Sequence, residues 1–474
     1  MEGNIAPKPS ENYILRAELQ LLTAVECLET KTLKVMKKMI PGLWPVIGGV
    51  LTLVVVAAIT SSCEDKVEVT RKYTVMEPVY MSPQEVRSSF AILPADTLQE
   101  PGKIYLYDSW LLINEPGNGI HVIDNLDPAN PQMMYFINIP GNYDMAVKDK
   151  LLYADSYVDL VVIDIGDPNN IREVARLNEV FMFTSGNVFW DREKGVIVDW
   201  HEKEIIEVGS DEVGGNFPSY FYYKNNFGAF DAQSFGGSRA ELMSAAVGGQ
   251  TGIGGSMARF TISGDYLYSI DQSNLYVFDI EDGTRPLRGL TLNIGWGIET
   301  IFPLREHLFV GSQTGMHIVS IGNPANPRYV SRFEHVRSCD PVVVQDTIAY
   351  VTLRGGTGCW NDFTNQLDLI DIRDIERPVL LKSFGMHNPH GLGVDDNLIF
   401  ICEGENGLVV YDLTDPLSLI KREVFSMKGI HAFDVIPYRG VLMLIGLDGL
   451  YQFDYSNPAD IRQLSMLQVY RREP

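Results

Sequence analysis

The chain has 474 residues, 45% of them hydrophobic and 10% aromatic, enough apolar material for a large folded core. A formal charge of −23 excludes functions built on gripping nucleic acid, because that binding rests on Lys and Arg neutralising phosphates. The acidic balance belongs to a well-solvated surface.

Residues 1–35 fit no signal grammar, and Met36 directly before Lys37 marks a second start, which makes 1–35 an upstream misassigned segment. From Met36 the pattern is orderly. Lys37 and Lys38 supply a positive n-region, and Val46 to Ile59 supplies an apolar run short for a membrane span. Small residues Thr60, Ser61 and Ser62 lead to Cys63. This resembles the lipobox of bacterial lipoproteins, with Thr60 where Leu is usual, and it implies a signal peptide over 36–62 and lipidation of Cys63. A transmembrane anchor is the other reading of the apolar run. Either one puts the rest of the chain beyond the inner membrane. Glu64 and Asp65 resemble the surface-export tag of Bacteroidota lipoproteins, and residues 63–101 read as a tether in which VEVTRKYTV is strand-like and available to help close a ring.

From Gly102 onward helical periodicity is nearly absent and one unit recurs. Apolar runs end in Asp124, Asp164, Asp279, Ser320 (in place of Asp), Asp371, Asp412 and Asp454, about 41 residues apart wherever no insertion intervenes. An insertion around GGTGCWND lengthens one interval. The longest hides a degenerate copy, VIVDWHEKEIIEVG, before a long insertion at 209–256. Each copy splits into four strand-like runs; in the second these are NYDMAVKD, KLLYADSY, DLVVIDIG and IREVARL. The run LVVIDI is apolar at consecutive positions, so both its faces must be covered. Its terminal Asp is short enough to bond turn backbone, and the Asp-Pro that follows pre-sets the turn. The predicted fold class is therefore all-β: a β-propeller over 102–474 of about eight four-stranded blades, or seven if the insertion displaces the degenerate copy.

The stretches GIHVIDN, YADSYVDLVVIDI, GGSMARF, CDPVVV and AYVTLRGGTGC resemble the LVIVD-repeat lipoproteins of Bacteroidota over Val79 to Val469. The resemblance implies a propeller-like protein associated with the cell surface. It implies no particular activity.

Alignment of the copies on their first hairpin turn brings eight polar residues into register: Lys103, Asp144, Asn187, Arg259, Glu299, Asp340, His390 and His431, with a one-residue adjustment for Glu299 and for His431. They are expected to ring one channel mouth. Four consecutive members, Glu299, Asp340, His390 and His431, form a mixed carboxylate and imidazole set of the kind that holds a divalent metal, the one cofactor the sequence suggests. The other reading is a polar channel lining that solvates trapped water, with Lys103 and Arg259 balancing the acids. Cys339 and Cys359 bracket a hairpin beside Asp340 and read as a disulfide in an oxidising compartment.

The insertion is rich in Gly and aromatics. Tyr220, Phe221, Tyr222 and Tyr223 offer polar-tipped rings for a sugar or peptide, or else a cover for the propeller. Its GGQTGIGGS neither follows a strand nor opens a helix, and it lacks the Lys-Ser/Thr ending of a phosphate loop. No Ser sits in a G-x-S-x-G elbow. Two functions follow. The first is a monomeric, lipid-anchored outer-membrane or surface protein whose propeller binds an extracellular protein, peptide or glycan. The alternative is a metal-dependent extracellular hydrolase or lyase acting at the channel mouth.

Overall fold

The structure is a computed structural model that describes residues 69–182, 190–209, 251–336, 338, 341–355 and 365–470. The chain divides into two compact units. In the smaller, the described residues are 69–73 and 204–209, extended chain in which Lys72 and Glu204 form an exposed ion pair of 2.6 Å. The larger unit holds the repeats.

Among the described residues there are eight antiparallel sheets. Seven contain a four-stranded meander built from contiguous sequence, here called blades 1 to 7. Their first strands are Ile104–Tyr107, Met145–Lys148, Phe260–Ser263, Ile298–Leu304, Val342–Gln345, Leu392–Asp395 and Ala432–Tyr438. Each first strand packs against the next in this order, and Ala432–Tyr438 packs back on Ile104–Tyr107. That closed cycle of inner strands is the hub of a propeller.

Blade 2 shows how the sequence makes a blade. Met145–Lys148 and Leu151–Ser156 are buried almost throughout, and Asp159–Asp164 is buried at five consecutive positions, so neighbouring blades cover both faces. The outermost strand, Arg172–Leu177, is only half-buried. In blade 5 the outermost strand Val379–Gly385 is almost wholly exposed. The Asp that ends each third strand does what its length suggests. Asp124, Asp164, Asp279, Asp371, Asp412 and Asp454 each accept from the backbone N–H two residues on, at 2.6–3.0 Å. Ser320 makes the same bond at 3.4 Å. A second Asx turn repeats the device three residues later, as in Asp127 to Ala129 and Asp167 to Asn169.

The degenerate third copy builds no blade. Its VIVDWHEKEIIEVG lies in the long strand Gly195–Gly209, which pairs with Trp190–Asp191 on one side and Val69–Met81 on the other. Seven blades therefore close without it. The segment read as a tether is, from Val69 on, part of the fold. Ser82 caps the short helix Pro83–Ser88 through a reciprocal bond pair with Glu85. Arg87 then grips buried Asp159 of blade 2 with two bonds, at 2.8 and 3.1 Å. Ala91–Pro94 adds a strand to the outer edge of blade 1, pairing Ala91 with Asn138. That edge would otherwise present unpaired backbone.

Candidate functional site

In every blade the last four residues of the inner strand pair with the second strand across a tight turn: Ile104–Tyr107 with Trp110–Ile113, Phe260–Ser263 with Tyr266–Ser269, and so on. The residue immediately before those four is the true register position. It is Lys103, Asp144, Arg259, Thr300, Pro341, Gly391 and Asp434 in blades 1 to 7. Lys103, Asp144 and Arg259 occupy it. Glu299 falls one residue early and is itself the extra residue of a bulge between Ile298 and Thr300. His390 is one residue early, and His431 three, with a second bulge between Ala432 and Asp434. Each of the three stands further back from its turn than Lys103 does from its own, which takes it out of the register. Asn187 and Asp340 lie outside the described residues, as do Cys63, Cys339, Cys359, Tyr220, Phe221, Tyr222 and Tyr223.

The first three register positions form one buried network. Lys103 Nζ donates to Asp144 Oδ2 at 2.7 Å, and the same oxygen accepts from the backbone N–H of Phe260 at 3.2 Å and from that of Arg259. Burial holds the Lys103 ammonium below its usual range, opposed by Asp144 and reinforced by Arg259. Arg259 Nε donates to the Glu299 carbonyl at 3.3 Å, while the Glu299 carboxylate accepts from the Gln313 amide at 3.0 Å.

On the other side of the ring, His390 and His431 face each other with ring centroids 6.4 Å apart. Arg354 Nη1 lies 3.5 Å from His390 Nε2. Burial first, then Arg354 and His431, hold the His390 imidazole well below its usual range, so it is neutral at pH 7. His431 is fixed through its backbone, whose N–H donates to Asp448 at 3.0 Å. Among the described residues no three His, Cys, Asp or Glu side chains converge as metal ligands, so Glu299, His390 and His431 do not of themselves make a cage.

The axis of the ring is occupied by the chain itself. Residues Thr251–Ala258, the end of the insertion, run along the open edge of the blade 1 inner strand, with Ile253 paired to Leu106 and Gly254 to Tyr105. Thr251 bridges Lys148 of blade 2, and Gly252 N–H donates to Val147 O at 2.9 Å. Ser256 bonds Asp434 of blade 7 through its hydroxyl, and through its N–H at 3.2 Å. The Ala258 carbonyl accepts from Ile301 of blade 4 at 2.9 Å. This plug explains the glycine-rich sequence that offered no phosphate site. A Cβ on Gly252 would come within 2.2 Å of the Tyr105 ring and 2.7 Å of Leu106 O, and one on Gly255 within 2.2 Å of the Asp434 carboxylate. Only glycine permits such an approach.

A family model for the LVIVD repeat matches residues 142–179 and 254–288. The chain carries LVIVD repeats. The first match runs from the start of blade 2 to just beyond its outer strand; the second runs from the plug into blade 3. No curated protein matches the sequence. Solved structures of similar course include the computationally designed Ika8 protein, with 12% identity, 80% of this chain and 91% of that one covered, and a TM-score of 0.47. Sqt1 of Saccharomyces cerevisiae gives 9% identity over 84% and 90% of the two chains, with a TM-score of 0.44. The periplasmic gluconolactonase PpgL of Pseudomonas aeruginosa gives 10% identity over 80% and 97%, with a TM-score of 0.44. Asp434, Thr300, Arg354 and the plug residue Ser256 were not legible as site residues. Asp434 has a sequence signal, since it stands four residues before the end of its inner strand, as Lys103 and Asp144 do.

Proposed function

We propose that this protein is an envelope-anchored binding scaffold: a lipid on Cys63 holds it to the membrane, and its propeller binds an extracellular protein, peptide or glycan. One observation carries the reading. The ring's polar residues are engaged with one another and with the plug, as in Lys103–Asp144 and Ser256–Asp434, an arrangement suited to holding a rigid shape. A rigid ring that presents loops on its faces is a platform for recognition, with the ligand set by the loops. The export-signal pattern over 36–62 supports the address.

Two measurements test the proposal. Cys63→Ser is expected to move the protein from the membrane fraction to the soluble fraction after cell lysis; full retention in membranes would overturn the lipid anchor. Purified protein is expected to bind members of an array of peptides and oligosaccharides. Silence on the array, together with turnover of small esters or lactones that is lost on chelation, would replace the scaffold with the metal-dependent enzyme.

A further inference from the structure

The loop from the outer strand of blade 3 to the inner strand of blade 4 reads Gly295-Trp296-Gly297, and it displays its indole. Trp296 is 55% exposed, although tryptophan is on average a highly buried residue. The flanking glycines adopt φ of 144° and 75°, a backbone region that side-chain-bearing residues rarely enter. The loop is pinned on both sides. Ile294 and Ile298 donate to Ser273 O and Gln272 O at 2.9 and 3.1 Å, and Gly297 O accepts from Gln313 N–H at 2.9 Å.

Polar groups follow directly from it. The Gln313 side chain lies against Gly297, where a Cβ would meet it at 3.2 Å. Its amide donates to Glu299, whose carbonyl accepts from the Arg259 guanidinium. The exposed indole thus stands one residue from Gly297, on which Gln313 packs, and three from Glu299, and the amide, carboxylate and guanidinium linked there are half-buried.

We propose that this patch is a carbohydrate subsite that takes a neutral hexopyranose. A pyranose has a flat C–H face that packs on an aromatic ring and a rim of hydroxyls that both donate and accept. Gln313, Glu299 and Arg259 supply planar partners of both kinds. The carboxylate and guanidinium cancel in charge, which favours an uncharged sugar over an acidic one. The inference rests on the binding-scaffold reading and narrows its ligand to a glycan.

Affinity electrophoresis tests it, with the full-length protein run through gels that contain starch, mixed-linkage β-glucan, xyloglucan or galactomannan. At least one polysaccharide is expected to retard the wild type. Trp296→Ala should raise the apparent Kd about tenfold, Trp296→Phe should keep part of the affinity, and Gln313→Ala should weaken it at an unchanged melting temperature. A peptide array run in parallel separates the ways of failing. Peptide binding with no retardation by any polysaccharide overturns the glycan subsite and leaves the scaffold standing. Retardation that Trp296→Ala does not alter overturns the patch alone. No binding in either format overturns both.

Discussion

Three blades fasten the end of the second strand to the third residue of the third strand, and each does so with different chemistry. In blade 1, His121 Nε2 meets Glu115 Oε1 at 3.0 Å; in blade 3, the Tyr276 hydroxyl donates to Asp271 Oδ2 at 2.5 Å; in blade 4, His317 Nε2 meets Ser312 Oγ at 3.1 Å. His317 also reaches the Tyr329 hydroxyl through Nδ1 at 3.3 Å. The shared geometry makes these histidines hairpin pins rather than reactive groups. Burial, helped by Arg332 and His335, pushes the His317 imidazole down to about 4. A histidine whose pKa is depressed in the folded state contributes stability that is whole above its unfolded value and is lost as pH falls towards the folded one. The window here runs from about 6.5 down to about 4, and the contribution is on the order of 3 kcal/mol. His390 acts with the same sign. Urea midpoints at pH 7.5 and 4.5 should therefore differ less for His317→Gln than for the wild type. An equal acid loss in both proteins would show that the proton uptake lies elsewhere.

Among the elements, the plug is tightly constrained. Gly252→Ala forces a methyl group into the Tyr105 ring and the Leu106 carbonyl and should cost about 1–3 kcal/mol. Gly385→Ala, where nothing lies within 4 Å of the new carbon, serves as the control. Thermal melts that fall equally for both variants would deny the plug its tight fit. The legibility of the fold also divides by element. Third strands announced themselves, because a run such as DLVVID buried on both faces leaves an unbroken apolar signature capped by Asp. Inner strands were half legible: Lys103, Asp144 and Arg259 stand directly before the four residues that pair into the turn, whereas Glu299, His390 and His431 stand one to three residues further back, a difference that composition does not mark. The third copy kept the repeat's spacing but not its burial. Its HEKEIIE places charges where a blade needs apolar faces, and the strand pairs instead with Val69–Met81. Trp296 escaped notice because isolated exposure cannot be told from burial in a sequence where tryptophan is usually core.

For the molecule as a whole, the decisive joint is between blades 7 and 1. Among the described residues no strand is exchanged across it, since each four-stranded meander is contiguous in sequence. Asn125 and Gln452 instead trade reciprocal amide bonds of 2.9 and 2.7 Å, the Ser465 hydroxyl donates to Pro128 O at 2.6 Å, and Tyr470 N–H donates to Leu98 O at 2.8 Å. Asn125→Leu strips Gln452, fully buried, of two of its bonds and should cost about 1–3 kcal/mol. Adding Gln452→Leu should recover part of that, and a double-mutant cycle in urea reads the coupling. Strict additivity would mean that the amide pair does not fasten the ring. The plug bears on the same joint in time. Thr251–Ala258 emerges when blades 1 and 2 already exist, and its strand partners Tyr105, Leu106 and Lys148 are all in them. Its bonds to Ile301 and Asp434 must wait for blades 4 and 7. In chain order the segment is a mandrel: its strand partners in the first two blades precede it, and the remaining five blades follow it.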